Sequence, residues 1–302
     1  MSDISIVTGG CGFIGSHIVD ELVKRGNEVI VIDDLSAECN EEFYKNDDAT
    51  YLQESIANYS AIKDAFKNVK NVFHLAAESR IQPTLERPQD ACMTNFVGTC
   101  NILQATKEFG HGKARVIYSS TSSGYGLKNE PPLQETMARD CLNPYSVSKV
   151  AAEDLCKMYY TLWGLETITF RYFNIYGERQ PLKGQYAPVI GIFLRQKAAN
   201  ENLTIVGDGL QRRDFTHVSD VVKVNMLASE TENPRCFGEI FNIGTGSNHS
   251  ILEVAKMVDH DYKFIAPRLG EAKTTLANIT KAEHLLNYNP EVSLEDWINN
   301  NK

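Results

Sequence analysis

Thr8-Gly9-Gly10-Cys11-Gly12-Phe13-Ile14-Gly15-Ser16 joins the apolar run Ile4-Ser5-Ile6-Val7 to Ile14, Ile18, Val19, Leu22 and Val23 at helical spacing. The pattern predicts a buried strand turning sharply into an amphipathic helix, with glycines where the turn is tightest. Such a turn suits a diphosphate. Missing side chains let the backbone approach the anion, while free N–H groups and the dipole of the helix N-terminus stabilise its charge. The spacing is G-x-x-G-x-x-G rather than G-x-G-x-x-G, so alone it also describes a tight turn that binds nothing.

Working outward, Gly26-Asn27 turns the chain into the β-branched run Glu28-Val29-Ile30-Val31-Ile32, which ends at Asp33-Asp34. A carboxylate at the end of a second strand, about 20 residues past the glycines, is placed to accept hydrogen bonds from an adenosine ribose. It would repel a phosphate on that ribose, so Asp33 points to NAD rather than NADP. Further strand-like runs fall at 50–52, 71–75, 114–118 and 166–171, with helical stretches at 62–66, 88–109 and 144–163 between them. The alternation predicts an α/β fold, a Rossmann-type doubly wound parallel sheet with helices on both faces. Ligands then bind beyond the carboxyl ends of the strands, where His74-Leu75-Ala76-Ala77 and Ser119-Ser120-Thr121 fall.

Beyond residue 173 the rhythm loosens: helices are expected near 187–199, 218–229, 251–258 and 281–286, and a strand near 239–241. The expected division is a dinucleotide-binding domain over 1–173 and a smaller C-terminal substrate lobe over 174–302. Segments near 214–245 would return to the first domain.

Composition narrows the function classes. A net charge of −9, without a long basic run, argues against nucleic acid or an anionic membrane as partner. No apolar run has membrane-spanning length, and the N-terminus enters a strand rather than a leader. The seven cysteines include no C-x-x-C, which fits reduced thiols and a cytoplasmic setting better than a disulfide framework. The seven histidines lack ligand spacing, so no metal site is expected.

Tyr145 and Lys149 stand four residues apart and share one face of the helix expected over 144–163. An ammonium beside a phenol favours the phenolate and lowers its pKa. A tyrosine tuned this way takes a proton from an alcohol as hydride leaves the same carbon. Tyr-x-x-x-Lys is common by chance; its weight here comes from the nucleotide-binding pattern and the hydroxyl-rich strand end that precede it.

Together, Thr8-Gly9-Gly10-x-Gly12-Phe13-Ile14-Gly15, Asp33, His74-Leu75-Ala76-Ala77, Asn95-Phe96-Val97-Gly98-Thr99 and Tyr145-x-x-x-Lys149 resemble the extended short-chain dehydrogenase/reductase family. Arg171-Tyr172-Phe173-Asn174-Ile175-Tyr176-Gly177, Gly207-Asp208-Gly209-x-x-x-Arg213-Asp214-Phe215 and Arg268-Leu269-Gly270-Glu271 are similar to its nucleotide-sugar branch, most closely the UDP-hexose 4-epimerases. The resemblance implies a redox-neutral isomerase of carbohydrate metabolism. Tyr145 takes the 4-hydroxyl proton, directly or through Thr121, while hydride passes between C4 and tightly held NAD. The flat 4-keto sugar turns over and hydride returns to its other face.

The resemblance also implies site residues. Gly9, Gly12, Phe13, Ile14, Gly15, Asp33, Ser55, Ile56, Leu75, Ala76, Ala77, Asn95, Ser119, Tyr145, Lys149 and Tyr172 would hold the cofactor. Ser79, Thr121, Ser122, Asn174, Ala187, Val189, Arg213, Arg268, Glu271 and Thr275 would hold a UDP-sugar, with Asn174, Arg213 and Arg268 on the diphosphate. A homodimer is implied as well, built on helices 88–109 and 144–163, with Cys92, Val97, Cys100, Leu103, Ala151, Leu155 and Met158 offering an apolar face.

Departures from the family pattern sharpen the expectation. Relatives that dehydrate or decarboxylate the sugar place acidic residues after the catalytic threonine, where this chain has Ser122 and Ser123. Epimerisation therefore ranks above 4,6-dehydration. A UDP-uronate epimerase, a reductase and a non-catalytic NAD sensor are the other readings. Ser55 replaces a usual acidic adenine contact, and Glu78 stands near the place of a lysine found in some epimerases. Thr275 replaces a bulky wall residue, leaving room for an N-acetyl group.

Overall fold

A computed structural model describes residues 2–37, 42–182, 187–267 and 272–302 of the chain. Seven strands, β1 (Ile4–Thr8), β2 (Glu28–Ile32), β3 (Thr50–Leu52), β4 (Asn71–His74), β5 (Arg115–Thr121), β6 (Glu166–Tyr172) and β7 (Glu239–Ile243), form one sheet. Their spatial order is β3-β2-β1-β4-β5-β6-β7, and every pairing is parallel. The order reverses between β1 and β4, and the crevice over their carboxyl ends is where a doubly wound sheet takes its ligand.

Alternation along each strand feeds two cores. Val7, Phe73 and Ile117 pack on one face, and Ile6, Val72 and Val116 on the other. The first face is covered by the helices Phe13–Lys24 and Val218–Glu230, through Ile18, Val19, Val221 and Val224. The second is covered by Thr99–Phe109 and Pro144–Trp163, through Ile102, Leu103, Ala152 and Cys156. A third core gathers residues from Tyr176 to Ile298, including Phe193, Ile205 and Val254. There Leu203–Val206 and Tyr262–Ile265 pair in parallel, an arrangement not foreseen from sequence. The terminal helix Leu294–Asn301 was likewise unforeseen.

Four differences from the sequence reading matter for the site. The stretch expected as one helix over 88–109 is helical at Pro88–Cys92 and Thr99–Phe109, with a wider π-helical segment, Met93–Gly98, between them. Within that segment the Asn95 side chain turns inward and bonds the backbone of Glu78. Residues 59–66 form a short α-helical turn followed by a tighter one, rather than a helix at 62–66. Strand β5 runs on to Thr121, so Ser119 and Ser120 lie within the sheet and pair with Phe170 and Arg171. Leu103 is fully buried in the second core and offers nothing to an outer face.

Candidate active site

The glycine turn is shaped by two close approaches. Gly9 has φ +70°, and a Cβ there would stand 2.7 Å from the backbone nitrogen of Ala76. A Cβ on Gly15 would stand 2.1 Å from the Gly9 carbonyl oxygen. Side chains at either position would force the turn away from the loop after β4. Gly12 begins the helix Phe13–Lys24 with no side-chain cap and no acidic residue in its first turn. Helix N-termini carry unpaired N–H groups and partial positive charge, so this end is left open to an anion.

Behind the turn, Thr8 and His74 organise the β1–β4 crevice. The Thr8 hydroxyl accepts from the backbone N–H groups of Leu75 and Ala76, each at 3.2 Å, and so donates to His74 Nδ1 at 2.7 Å. On the other side Thr99 Oγ1 donates to the Asn95 carbonyl and accepts from His74 Nε2 at 2.8 Å. These directions assign the His74 proton to Nε2. Complete burial, with Lys149 adding to it, holds His74 neutral, well below the ordinary histidine range.

At the end of β2 the Asp33 carboxylate accepts from the backbone N–H of Cys11 and of Leu35, both at 2.9 Å. It thereby ties the second strand to the glycine turn. Burial pushes its pKa up, and the two N–H groups oppose that.

The helix Pro144–Trp163 begins sharply because Asn143 and Ser146 form a reciprocal cap and Pro144 supplies the first helical residue. This places Tyr145 in the first turn and Lys149 one turn on, both facing the carboxyl end of β5. Thr121 hydrogen-bonds the Tyr145 phenol. Lys149 Nζ lies 4.5 Å from the centre of the Tyr118 ring, and its backbone carbonyl accepts from the Tyr118 hydroxyl at 3.1 Å. Burial raises the Tyr145 phenol above its ordinary value, opposed by the Thr121 bond, and pulls the Lys149 ammonium down to about 7. The simple expectation that Lys149 lowers the phenol therefore does not hold for the chain alone: burial is the largest influence on Tyr145, and Thr121 is the group that opposes it.

One cavity of about 350 Å³ is lined by Gly9, Gly12, Phe13, Ile14, Gly15, Asp33, Ile56, Leu75, Ala76, Ala77, Ser79, Ser119, Tyr145, Lys149 and Tyr172. Asn95 and Ser55 are not among its lining residues. Asn95 is fully buried behind the wall, bonding Glu78 and the Ser148 hydroxyl at 3.0 Å. The Ser55 hydroxyl is turned to the backbone of Ala57. After β3 it is instead the acidic Glu54, one position earlier, that lines the cavity, and Arg80 and Thr94 line it as well. Sequence reasoning missed these three, and the offset of one residue is visible only once the loop after β3 is folded.

A second cavity of about 370 Å³ is lined by Asn174, Ala187, Val189, Arg213 and several apolar residues, and Pro188 lines both cavities. The two therefore share a wall. The Arg213 guanidinium donates to the carbonyls of Arg212 and Ala272, at 2.9 and 2.8 Å. Asn174 donates to the Asp214 carbonyl at 3.1 Å and to the Thr275 hydroxyl at 3.4 Å. Thr275 lines neither cavity. Buried Asp214 holds this corner, accepting from the backbone of Thr245, Gly246 and Ala277. Ser122 begins a tight turn, Ser122–Tyr125, that the Thr121 hydroxyl caps by accepting from Ser123 N–H. Arg268 and Glu271 lie outside the described residues.

Among the described residues no cluster of His, Cys, Asp and Glu could hold a metal ion. None of the described helices is long and apolar enough to cross a membrane.

A glycine turn against an open helix end, a carboxylate at the end of the second strand and a Thr–Tyr–Lys constellation beside one crevice define a dinucleotide-dependent enzyme fold. The chain belongs to the extended short-chain dehydrogenase/reductases: residues 6–301 match the family described as GDP-mannose 4,6 dehydratase. It is 37% identical to a putative UDP-glucose 4-epimerase of Methanocaldococcus jannaschii, over 98% of each chain. It is 36% identical to a UDP-N-acetyl-alpha-D-glucosaminuronate decarboxylase of Bacillus cytotoxicus, over 97% of this chain and 94% of that one. The UDP-glucose 4-epimerase of Thermotoga maritima, solved with UDP-glucose, superposes with a TM-score of 0.91 at 32% identity, over 99% of this chain and 97% of that one. The Thermus thermophilus UDP-glucose 4-epimerase, solved with NAD, superposes with a TM-score of 0.85 at 28% identity, over 99% and 97%. The chain is an enzyme of the nucleotide-sugar branch of this family, which contains both epimerases and decarboxylases.

Proposed function

We propose that this chain is an NAD-dependent nucleotide-sugar 4-epimerase acting on UDP-glucose/UDP-galactose, UDP-N-acetylglucosamine/UDP-N-acetylgalactosamine, or both. The observation that carries this reading is Tyr145 and Lys149 lining the glycine-turn cavity with Thr121 beside the Tyr145 phenol, and serines rather than acids after Thr121. Without a carboxylate at Ser122 or Ser123, the leaving hydroxyl of a dehydration has no general acid there.

NAD fits the first cavity. The open helix end at Gly12 suits the diphosphate, and Asp33 suits an unphosphorylated ribose. Bound there, it supplies a hydride acceptor and a positive nicotinamide ring. The chain's own part is proton handling and orientation. Tyr145 removes the 4-hydroxyl proton, and Thr121 orders the phenol or relays the proton. Lys149, poised near neutrality, favours the phenolate when it is charged. Asn174, Arg213 and Arg268 would hold the diphosphate of the sugar nucleotide, since guanidinium groups bind phosphate oxygens in pairs.

Thr275 lines neither cavity but accepts from Asn174, which lines the second, and its small side chain in place of a bulky one is what supports including the N-acetylated pair; no turnover of those sugars would remove that part of the reading. Similarity to a uronate decarboxylase favours a second reading, chemistry on a UDP-uronate. The test is a panel of UDP-hexoses, UDP-N-acetylhexosamines and UDP-uronates, incubated without added NAD and with products identified. A C4 epimer supports the first reading, and a pentose or a 4-keto-6-deoxy sugar overturns it.

A homodimer and a cytoplasmic location complete the proposal. With Leu103 buried, the outer face is carried by Met93, Phe96, Val147, Leu162 and Trp163, exposed by 37–63%. These flank Cys92, Cys100, Ala151 and Met158 on the same helices. An exposed apolar patch of this kind suits a second copy of the chain.

A further inference from the structure

Glu153 lies one helical turn beyond Lys149 and two beyond Tyr145, and it is 1% exposed. Its carboxylate accepts from Arg171 Nε at 2.9 Å and Nη2 at 2.7 Å, and from the Ser120 hydroxyl at 2.6 Å. Arg139 approaches to 3.7 Å. Ser120 lines the cofactor cavity and precedes Thr121. Glu153 thus joins three elements at the level where the reactive hydroxyls emerge: its own helix, β5 through Ser120 and β6 through Arg171.

A buried ion pair is a poor way to gain stability, because taking two charges out of water offsets most of their attraction. Apolar residues would anchor the helix as well. What a carboxylate adds is a fixed negative charge on the face that carries Lys149.

We propose that Glu153 is a positioning residue that supplies the counter-charge of Lys149 and sets the register of the Tyr145–Lys149 helix against the Thr121 strand end. This deepens the epimerase reading and rests on it for the catalytic consequence.

The groups facing Lys149 leave Glu153 as that charge. From β4 comes His74, held neutral, and from β5 the uncharged Tyr118 ring. On its own helix lie Tyr145, Cys156 and Glu153. Desolvation lowers Lys149 most; a Cys156 thiolate and then Glu153 would raise it. The Cys156 thiol is itself pushed up to about 12 by burial, so it is neutral near pH 7 and Glu153 alone acts there. Arg171 pairs with both oxygens of that carboxylate and packs its guanidinium 4.8 Å from the Tyr125 ring, and Arg139 stands 3.7 Å away, so the two arginines offset part of the charge that Lys149 meets.

The experiment is a 13C NMR titration of Lys149, with its Cε methylene labelled, in the NAD-loaded protein. The wild type is compared with Glu153→Gln and with a Glu153→Met/Arg171→Met double variant. The double variant leaves no buried unpaired arginine, so it reports even where Glu153→Gln fails to fold. Lys149 is expected to titrate about one pH unit lower in Glu153→Gln, a tenfold loss of protonated lysine at a given pH, and to shift the same way but less in the double variant, where loss of the Arg171 charge offsets part of the effect. The basic limb of kcat should shift by the same amount while NAD content stays unchanged. An unmoved Lys149 titration overturns the proposal, whatever happens to stability. A shifted titration in a protein that epimerises nothing would instead overturn the functional reading and leave the role of Glu153 standing.

Discussion

The Thr8 hydroxyl and His74 Nδ1 lie 2.7 Å apart in complete burial, linking the strand before the glycine turn to the last residue of β4. The histidine is neutral when folded. Once unfolded it takes a proton below about pH 6.5, so the folded state loses relative stability as pH falls through that value. His74→Gln should be less stable at neutral pH but lack this acid-driven loss. The gap between variant and wild type should narrow by about 1 kcal/mol per unit below pH 6. Urea unfolding at pH 7.5 and 5.5 measures it; a constant gap would exclude this account.

Tyr145→Phe removes the hydroxyl proposed to exchange the sugar proton while keeping the ring. Turnover should fall about 10²- to 10⁴-fold with NAD content and melting temperature near wild type. Turnover at the wild-type rate would remove Tyr145 from the mechanism.

Gly9→Ala combines a positive φ with a Cβ 2.7 Å from backbone that belongs to the opposite strand end. A loss of about 1–3 kcal/mol is expected. Because Ala76 must move to relieve the contact, NAD retention should weaken as well. Gly26→Ala also has a positive φ but meets nothing within 4 Å, and serves as the control. It should be strained without losing NAD, and equal NAD loss in both variants would falsify the close-approach explanation.

Phe96→Asp places a charge on the exposed apolar face of the helical layer, with Phe96 37% exposed in the single chain. In sedimentation the wild type should be a dimer and the variant a monomer. A monomeric wild type at micromolar concentration would defeat the dimer proposal.

Most of the first cavity's expected lining was legible locally. Gly9, Gly12, Gly15, Asp33, Tyr145 and Lys149 each stand in a short stretch whose spacing carries its own chemistry, and all six line one cavity. Residues that act through a partner distant in sequence were not legible. Asn95 reads as a cofactor contact, yet it is buried behind the wall bonding Glu78 and Ser148; Glu54, not Ser55, reaches the cavity. Leu103 belongs by periodicity to an apolar helix face, and only packing on the sheet decided which face that was.

The sequence by itself determined the strand–turn–helix grip, the alternation that makes a parallel sheet, and the Tyr–Lys pair on one helical turn. All of these are set by contacts within a few residues. Only the tertiary structure decided how that pair is tuned. Burial lifts the Tyr145 phenol and pulls Lys149 to about 7, and Glu153, buried on the same helix, opposes the fall of Lys149. Desolvation depends on everything packed around a group, and no local spacing records it.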